Sequence, residues 1–337
     1  MTAKRSSRTA EGRSGIARRT AIVAAALAAF VAAAPALSQD YPARPVRIVF
    51  GFGPGSSGDI MSRVLAQRMS QDLGQPFVVE GKPGANGQLG AVQVARSSND
   101  GYTLFLASVS NATNVAITPG SATDLAKELT PIVLVANVPS ILVVHPSLGV
   151  ATVPELIALA KAKPDQLLFG SVGVGSPPHL AGELFKVLAG VKLTHVPYAG
   201  GSGQAATDLI AGRISMIFSP QSTIAPHIAA GSVKALAAAT AKRAGLFPDL
   251  PTIAEAGLPG FDSGIWGGLM APAGTPRPII DRLARAANDA LKTPEVVSVW
   301  RNAGIDPLGG SPEDFARLID AEVDKWGKVA RAAGLSK

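Results

Sequence analysis

Four times along this chain an apolar run leads into a loop of glycine, serine and proline, and then into the start of a helix. The stretches are "IVFGFGPGSSGDIMSRVLAQRM", "LFLASVSNATNVAI", "LLFGSVGVGSPPHLAGELFKVLAG" and "HVPYAGGSGQAATDLIAGR". A sequence that keeps alternating strand and helix buries its apolar faces most readily as open α/β sheets with crossover connections. The remaining apolar, β-branched runs fit that scheme. Strands are predicted at Val46–Phe50, Phe77–Val79, Thr103–Ala107, Ile132–Val135, Ile141–Val144, Leu167–Gly170, Thr194–Val196, Ile214–Phe218 and Ala235–Ala239. Helices are predicted at Asp59–Leu73, Gly90–Ala95, Val153–Ala162, His179–Ala189, Gln204–Ala211 and Ile224–Ala230. The C-terminal third, Arg277–Lys292, Pro294–Ala303 and Pro312–Ala333, reads as helix throughout. Each Gly/Ser/Pro loop falls at the carboxyl end of its strand, the edge where open α/β sheets bind ligands. Helix N-termini at that edge offer unpaired N–H donors and a partial positive charge, so anions are the expected ligands.

The first loop invites a different reading. Gly53, Gly55 and Gly58 satisfy G-x-G-x-x-G, and Glu80 follows the last glycine by about twenty residues, as the ribose-binding acid of a dinucleotide fold does. Asp59 argues against it, because a carboxylate at that helix start repels a pyrophosphate. No hydride-transfer machinery follows downstream, and no cofactor is expected. Hydrolase chemistry has no anchor either, since the chain lacks a G-x-S-x-G elbow. Its four histidines, His145, His179, His195 and His227, form no i, i+4 pair and no H-E-x-x-H. His179 stands apart because it begins a helix directly after "GVGSPP", where it faces either a ligand or only its own first turn. With no cysteine in the chain, disulfides and thiolate metal sites are excluded. No catalytic residue and no metal site is assigned.

The N-terminus carries Lys4, Arg5, Arg8, Arg13, Arg18 and Arg19, then the apolar run Ala21–Ala34, then Pro35-Ala36-Leu37-Ser38. This is the pattern of a secretory signal, with cleavage expected after Ser38 and, as the alternative, after Ala36. Fourteen apolar residues fall short of the roughly 20 that span a bilayer. The signal also explains most of the formal charge of +7. Removing its six Lys/Arg and single acid from totals of 31 and 24 leaves 25 and 23, a net charge of +2. No basic patch remains to suggest nucleic acid.

Five segments carry a resemblance: "YPARPVRIVFGFGPGSSGDIMSRVLAQRMSQDLGQPFVVEGKPGANGQLGA", "DGYTLFLASVS", "ELTPIVLVANVPSILVVHPSL", "GSPPHLAGELFKVLAGVKLTHVPYAG" and "PTIAEAGLPGFDSGIWGGLMAPAGTP". In this order, from about Tyr41 to Gly334, they resemble the Bug family, the periplasmic receptors of tripartite tricarboxylate transporters. The resemblance implies an α/β, two-lobed periplasmic binding protein of type II-like architecture. Each lobe would be an open mixed sheet flanked by helices, with the ligand cleft between them. It also implies residues 1–38 as signal peptide, 39–139 plus 266–337 as lobe 1, and 140–265 as lobe 2, with crossing segments near Asn137–Ile141 and Gly264–Gly268. The family grips a carboxylate between loops that match Phe52 to Asp59 and Gly173 to His179 here. The chain departs from the family loop at Gly51 and Gly53, where prolines are usual, and at Ser56, where glycine is usual.

Neither clamp loop contains Lys or Arg. A carboxylate held there relies on backbone N–H groups, serine hydroxyls and helix dipoles, which favours reversible binding over a desolvated ion pair. The expected ligand-binding set is Phe52, Gly53, Ser56, Ser57, Asp59, Ser108, Gly175, Ser176, His179, Tyr198, Ser219 and Trp266. Tyr198 and Trp266 are placed on the apolar middle of the cleft, and Ser176 is expected to donate to the carboxylate. The expected partners are a small organic carboxylate (di- or tricarboxylate, aromatic acid or amino acid) and the membrane subunits of a tripartite transporter. The chain is expected to be a monomer in the periplasm, and not an enzyme. An exported enzyme acting on a small carboxylate and a ligand sensor for a membrane signalling protein are the alternatives.

Overall fold

The computed structural model describes residues 41–335 except 55, 119, 121–122 and 199–201, so the export segment 1–38 lies outside the described residues. The chain first lays down strands β1 (Val46–Phe50), β2 (Phe77–Gly81), β3 (Thr103–Ser108) and β4 (Leu129–Val138). Between them lie helices α1 (Ser57–Leu73), α2 (Gln88–Ala95), α3 (Val109–Ile117) and the single turn α4 (Leu125–Glu128). It then leaves this sheet, because β5 (Ser140–Val144) pairs elsewhere. Strands β6 (Leu168–Ser171), β7 (Thr194–Pro197), β8 (Met216–Pro220) and β9 (Lys234–Ala238) join β5 in the order β7-β6-β8-β5-β9. Helices α5 (Val153–Ala162), α6 (Pro177–Ala189), α7 (Ser202–Ile210) and α8 (Gln221–Ala229) alternate with them. The chain returns through β10 (Ile265–Pro272), and the first sheet is completed as β11-β4-β10-β3-β1-β2 by the short strand β11 (Asp306–Pro307). Helices α9 (Arg277–Ala290), α10 (Pro294–Asn302) and α11 (Pro312–Ala332) make up the rest of the C-terminal part.

Both sheets are mixed. In the first, β1 runs parallel to β2 and β3, while β10 is antiparallel to β3 and β4. In the second, β6 is parallel to β7 and β8, while β5 is antiparallel to β8 and β9. Strand β5 is paired on both edges and buried along its whole length, which is why "ILVV" within it is a continuous apolar run and shows no alternation.

Strand β10 was not among the predicted strands, and its glycines explain why. Gly267 and Gly268 interrupt the apolar pattern, and the pairing with β4 shifts register between them. A Cβ on Gly268 would lie 2.2 Å from the Phe315 ring of α11, so the missing side chain is what lets that helix pack against the strand. Phe315 is fully buried, as are Trp326 and Ile319 on the same face at helical spacing. Burying each such side chain stabilises the fold by about 1.5–3 kcal/mol.

Helix α11 packs on α3 and β4 beside the first sheet and also on α6 beside the second. The Glu322 carboxylate on α11 accepts from the indole nitrogens of Trp266 (3.2 Å) and Trp326 (2.8 Å). Lys325 donates to the Asp262 carbonyl at 2.9 Å, just before the chain enters β10. Among the described residues, no helix is long and apolar enough to cross a membrane.

Candidate functional site

Strand β1 ends in Phe50, and the loop that follows is shaped by a close backbone approach. A Cβ on Gly51 would lie 2.3 Å from the Gly87 Cα, so glycine at 51 is what lets the 51–56 and 84–87 loops touch. The departure at Gly51 thus has a steric cause. Gly53 has nothing within 4 Å of a Cβ position. Ser56 caps α1: its Oγ accepts from the Asp59 amide at 3.3 Å and donates to the Gly53 carbonyl at 2.8 Å. The hydroxyl that replaces the usual glycine is therefore engaged within the loop. Asp59 is 7% exposed and its carboxylate accepts from Arg63 one turn on at 2.7 Å. Glu80, the acid a dinucleotide site would use, lies 3.5 Å from Arg47 on the adjacent strand.

Between this loop and the crossing strand lies a pocket of about 160 Å³. Phe50, Phe52 and the start of α1 (Ser56, Ser57, Gly58, Met61) line one side. The end of β3 and start of α3 (Leu106, Ala107, Ser108, Ser110) line another, with Ile265 and Trp266 of β10. Pro177, the first residue of α6, closes it from the second sheet. The pocket therefore sits at the carboxyl ends of β1 and β3, at two helix N-termini, where the two sheets meet. No charged residue is among the described residues of the lining. Ser108 caps α3 in a reciprocal box with Asn111. The hydroxyls of Ser57 and Ser110 have no hydrogen-bond partner among the described residues.

Of the expected set, Phe52, Ser56, Ser57, Ser108 and Trp266 come together in this pocket. Trp266 is buried among core residues as well, packed edge-on against Phe315 with its N–H turned to Glu322, so only its carbon framework forms the wall. The second-sheet loop lies close by. Gly175 has φ +77°, and a Cβ there would fall 3.6 Å from Ile117 and 3.9 Å from Asn86, both beside the first sheet. Ser176 precedes α6, but its Oγ donates to the Gly173 carbonyl at 2.6 Å and does not cap the helix. Its hydroxyl proton is held by its own loop.

His179, Tyr198 and Ser219 are placed elsewhere. The His179 ring is buried against His195, with centroids 4.1 Å apart, and against Phe169. Its Nδ1 accepts from the Gly175 amide at 3.1 Å, which puts the ring proton on Nε2, 3.7 Å from Glu183. His179 thus supports the loop from behind. Burial pulls its pKa down to about 4, with the Lys186 charge adding to the effect. Burial likewise brings His195 to about 4, with His179 adding to the effect, and its Nε2 lies 2.6 Å from the Ser171 Oγ. The Tyr198 hydroxyl donates to Asp208 at 2.9 Å, and burial together with that carboxylate pushes its pKa up to about 12. Ser219 is buried in β8 beside a small void, and its Oγ has no hydrogen-bond partner among the described residues.

Residues absent from the expected set form most of the pocket: Phe50, Gly58, Met61, Leu106, Ala107, Ser110, Pro177 and Ile265. In the sequence the large apolar ones look like ordinary core residues of strand and helix. Only the meeting of β1, β3 and β10 turns them into a wall. Among the described residues, no group of three or more His, Cys, Asp or Glu is placed to hold a metal.

Comparison with known proteins matches residues 61–335 to the model of the tripartite tricarboxylate transporter family receptor. Protein BugT of Bordetella pertussis is 36% identical over 319 residues, covering 94% of this chain and 98% of the relative. Among solved structures, R. palustris Rpa4515 with adipate is 38% identical with a TM-score of 0.75, covering 88% of this chain and 99% of that one. MatC from Rhodopseudomonas palustris with bound malate is 32% identical with a TM-score of 0.72, covering 86% and 99%.

Proposed function

The chain belongs to the family of tripartite tricarboxylate transporter receptors, and on that premise we propose that it is a periplasmic solute receptor. It binds a small organic carboxylate between two lobes and delivers it to the membrane subunits of a tripartite transporter. The observation that carries this reading is the pocket between the two sheets, at the N-termini of α1, α3 and α6 and beside serine hydroxyls, with no charged residue among the described residues of its wall. Such a site stabilises an anion through neutral donors and helix dipoles, and releases it without breaking a buried ion pair. Adipate and malate in the two related structures are carboxylates of the expected size.

In this reading the lobes are residues 39–139 with 266–337, and residues 140–265, each built on one sheet. Residues 1–38 are the export signal, removed in a monomeric periplasmic protein. The role is binding and not turnover, because the matching family is one of receptors. The test is a thermal-shift screen of carboxylates on the chain beginning at Gln39. A ligand that binds only the folded state raises the melting temperature in a concentration-dependent way. At least one di- or monocarboxylate is expected to do so; a flat response to every acid in the panel contradicts the proposal.

A further inference from the structure

The pocket wall carries information about the body of the ligand as well as its charge. Phe50, Phe52, Met61, Leu106, Ile265 and Trp266 supply most of it, and the one polar edge among them, the Trp266 indole N–H, is turned away to Glu322. The polar side chains in the lining are serine hydroxyls: two engaged as helix caps, and two, Ser57 and Ser110, without partners among the described residues. Size narrows the choice further. The pocket holds about 160 Å³, and an apolar cavity of about 150 Å³ in a protein accommodates one benzene molecule.

We infer that this pocket selects a carboxylate with an uninterrupted apolar body of roughly six carbons, an aliphatic chain or a single aromatic ring, over hydroxylated di- and tricarboxylates. The inference rests on the receptor reading above and specifies its substrate class. A hydroxyl on the ligand body would leave water and meet carbon atoms, and an unsatisfied buried hydroxyl weakens binding by roughly ten- to a hundred-fold. A purely apolar body displaces poorly held water and gains affinity by about fourfold for each buried methylene. Met61 adds some tolerance of shape, since its unbranched side chain adapts to irregular neighbours.

Gly58 provides a test that leaves the fold intact. It lies in the first turn of α1 and in the pocket wall, and a Cβ there would sit 3.5 Å from the Phe50 ring and 4.0 Å from Leu106, ordinary contact distances. Gly58→Ala therefore adds one methyl group to the pocket while improving helix propensity, so its melting temperature should equal or exceed that of the wild type. Calorimetry on the chain beginning at Gln39 would compare butyrate, hexanoate, adipate, benzoate, malate and citrate with both proteins. The expected result is hexanoate, adipate or benzoate binding at least tenfold tighter than malate and citrate. Gly58→Ala should lose about fourfold or more for hexanoate, adipate and benzoate, and less for butyrate. Malate or citrate binding as tightly as the apolar acids overturns the inference and leaves the receptor reading standing. Unchanged affinities for hexanoate, adipate and benzoate in Gly58→Ala do the same. Failure of every acid to bind the wild type overturns both.

Discussion

At Ser56 the hydroxyl donates to the Gly53 carbonyl and accepts from the Asp59 amide, whereas the neighbouring Ser57 hydroxyl lines the pocket without a partner among the described residues. Two adjacent serines in one motif therefore give opposite predictions. Ser56→Ala should destabilise the fold by about 1 kcal/mol through the lost cap, read from urea unfolding. Ser57→Ala should leave stability nearly unchanged and weaken carboxylate binding by roughly ten- to a hundred-fold, the value of a hydrogen bond to a charged group. A larger affinity loss in Ser56→Ala than in Ser57→Ala would refute the assignment. Gly51 and Gly53 form a second pair. Gly51→Ala forces a Cβ to within 2.3 Å of the Gly87 backbone, an overpacking expected to cost about 1–3 kcal/mol. Gly53→Ala meets nothing within 4 Å and should cost far less. Equal melting temperatures for the two variants would show that the loops do not touch in solution. None of this was legible in "FGFGPGSSGD". The string marks a donor-rich loop, but which glycine is sterically required depends on a loop more than thirty residues downstream, and which serine is left over depends on the hydrogen bonds the loop makes once folded.

Helix α6 and the strands beneath it carry the clearest pH dependence. The His179 and His195 rings are in contact, tilted by 43°, and burial lowers both pKa values to about 4 from the ordinary 6.5. Their neutral forms are the ones the fold favours, so the unfolded chain binds more protons than the native one between these values. Their contribution to stability is complete above pH 6.5 and is lost progressively as pH falls toward 4. The melting temperature should therefore decline between pH 6.5 and 5, a range above the usual carboxylate titrations. His195→Gln retains a polar partner for Ser171 without the titrating ring, so its decline over that range should be shallower. An identical slope in wild type and variant would contradict the role given to the pair. At this scale the sequence was informative where an element is continuous: β1, β5 and α11 follow from their apolar spacing. It was silent at β10, where Gly267 and Gly268 break the pattern for a reason that lies in another element, the Phe315 ring of α11. The apolar wall of the pocket was equally hidden, since Phe50, Met61 and Leu106 have the same pattern whether they face a core or a ligand. The contact of His179 with the Gly175 amide was hidden too, since it is made by the ring and not by the residue's place in the helix.

Over the whole molecule, the chain passes between the sheets at Pro139, between β4 and β5, and again between β9 and β10, while α11 packs beside both. The sequence suggested lobes joined chiefly by crossing strands. The helix adds a third connection, anchored by Glu322 and by Lys325 on the Asp262 carbonyl. Saturating ligand should compact the molecule, visible as a smaller radius of gyration in small-angle scattering; superimposable profiles with and without ligand would exclude closure. The central claim, reversible capture of a carboxylate by neutral donors, is tested most directly by titration calorimetry of the chain beginning at Gln39 with six-carbon acids. The expected heat saturates at one ligand per chain and then ceases, with the acid recovered unchanged. The absence of any saturable heat, or a heat that continues until the acid is consumed, would contradict it.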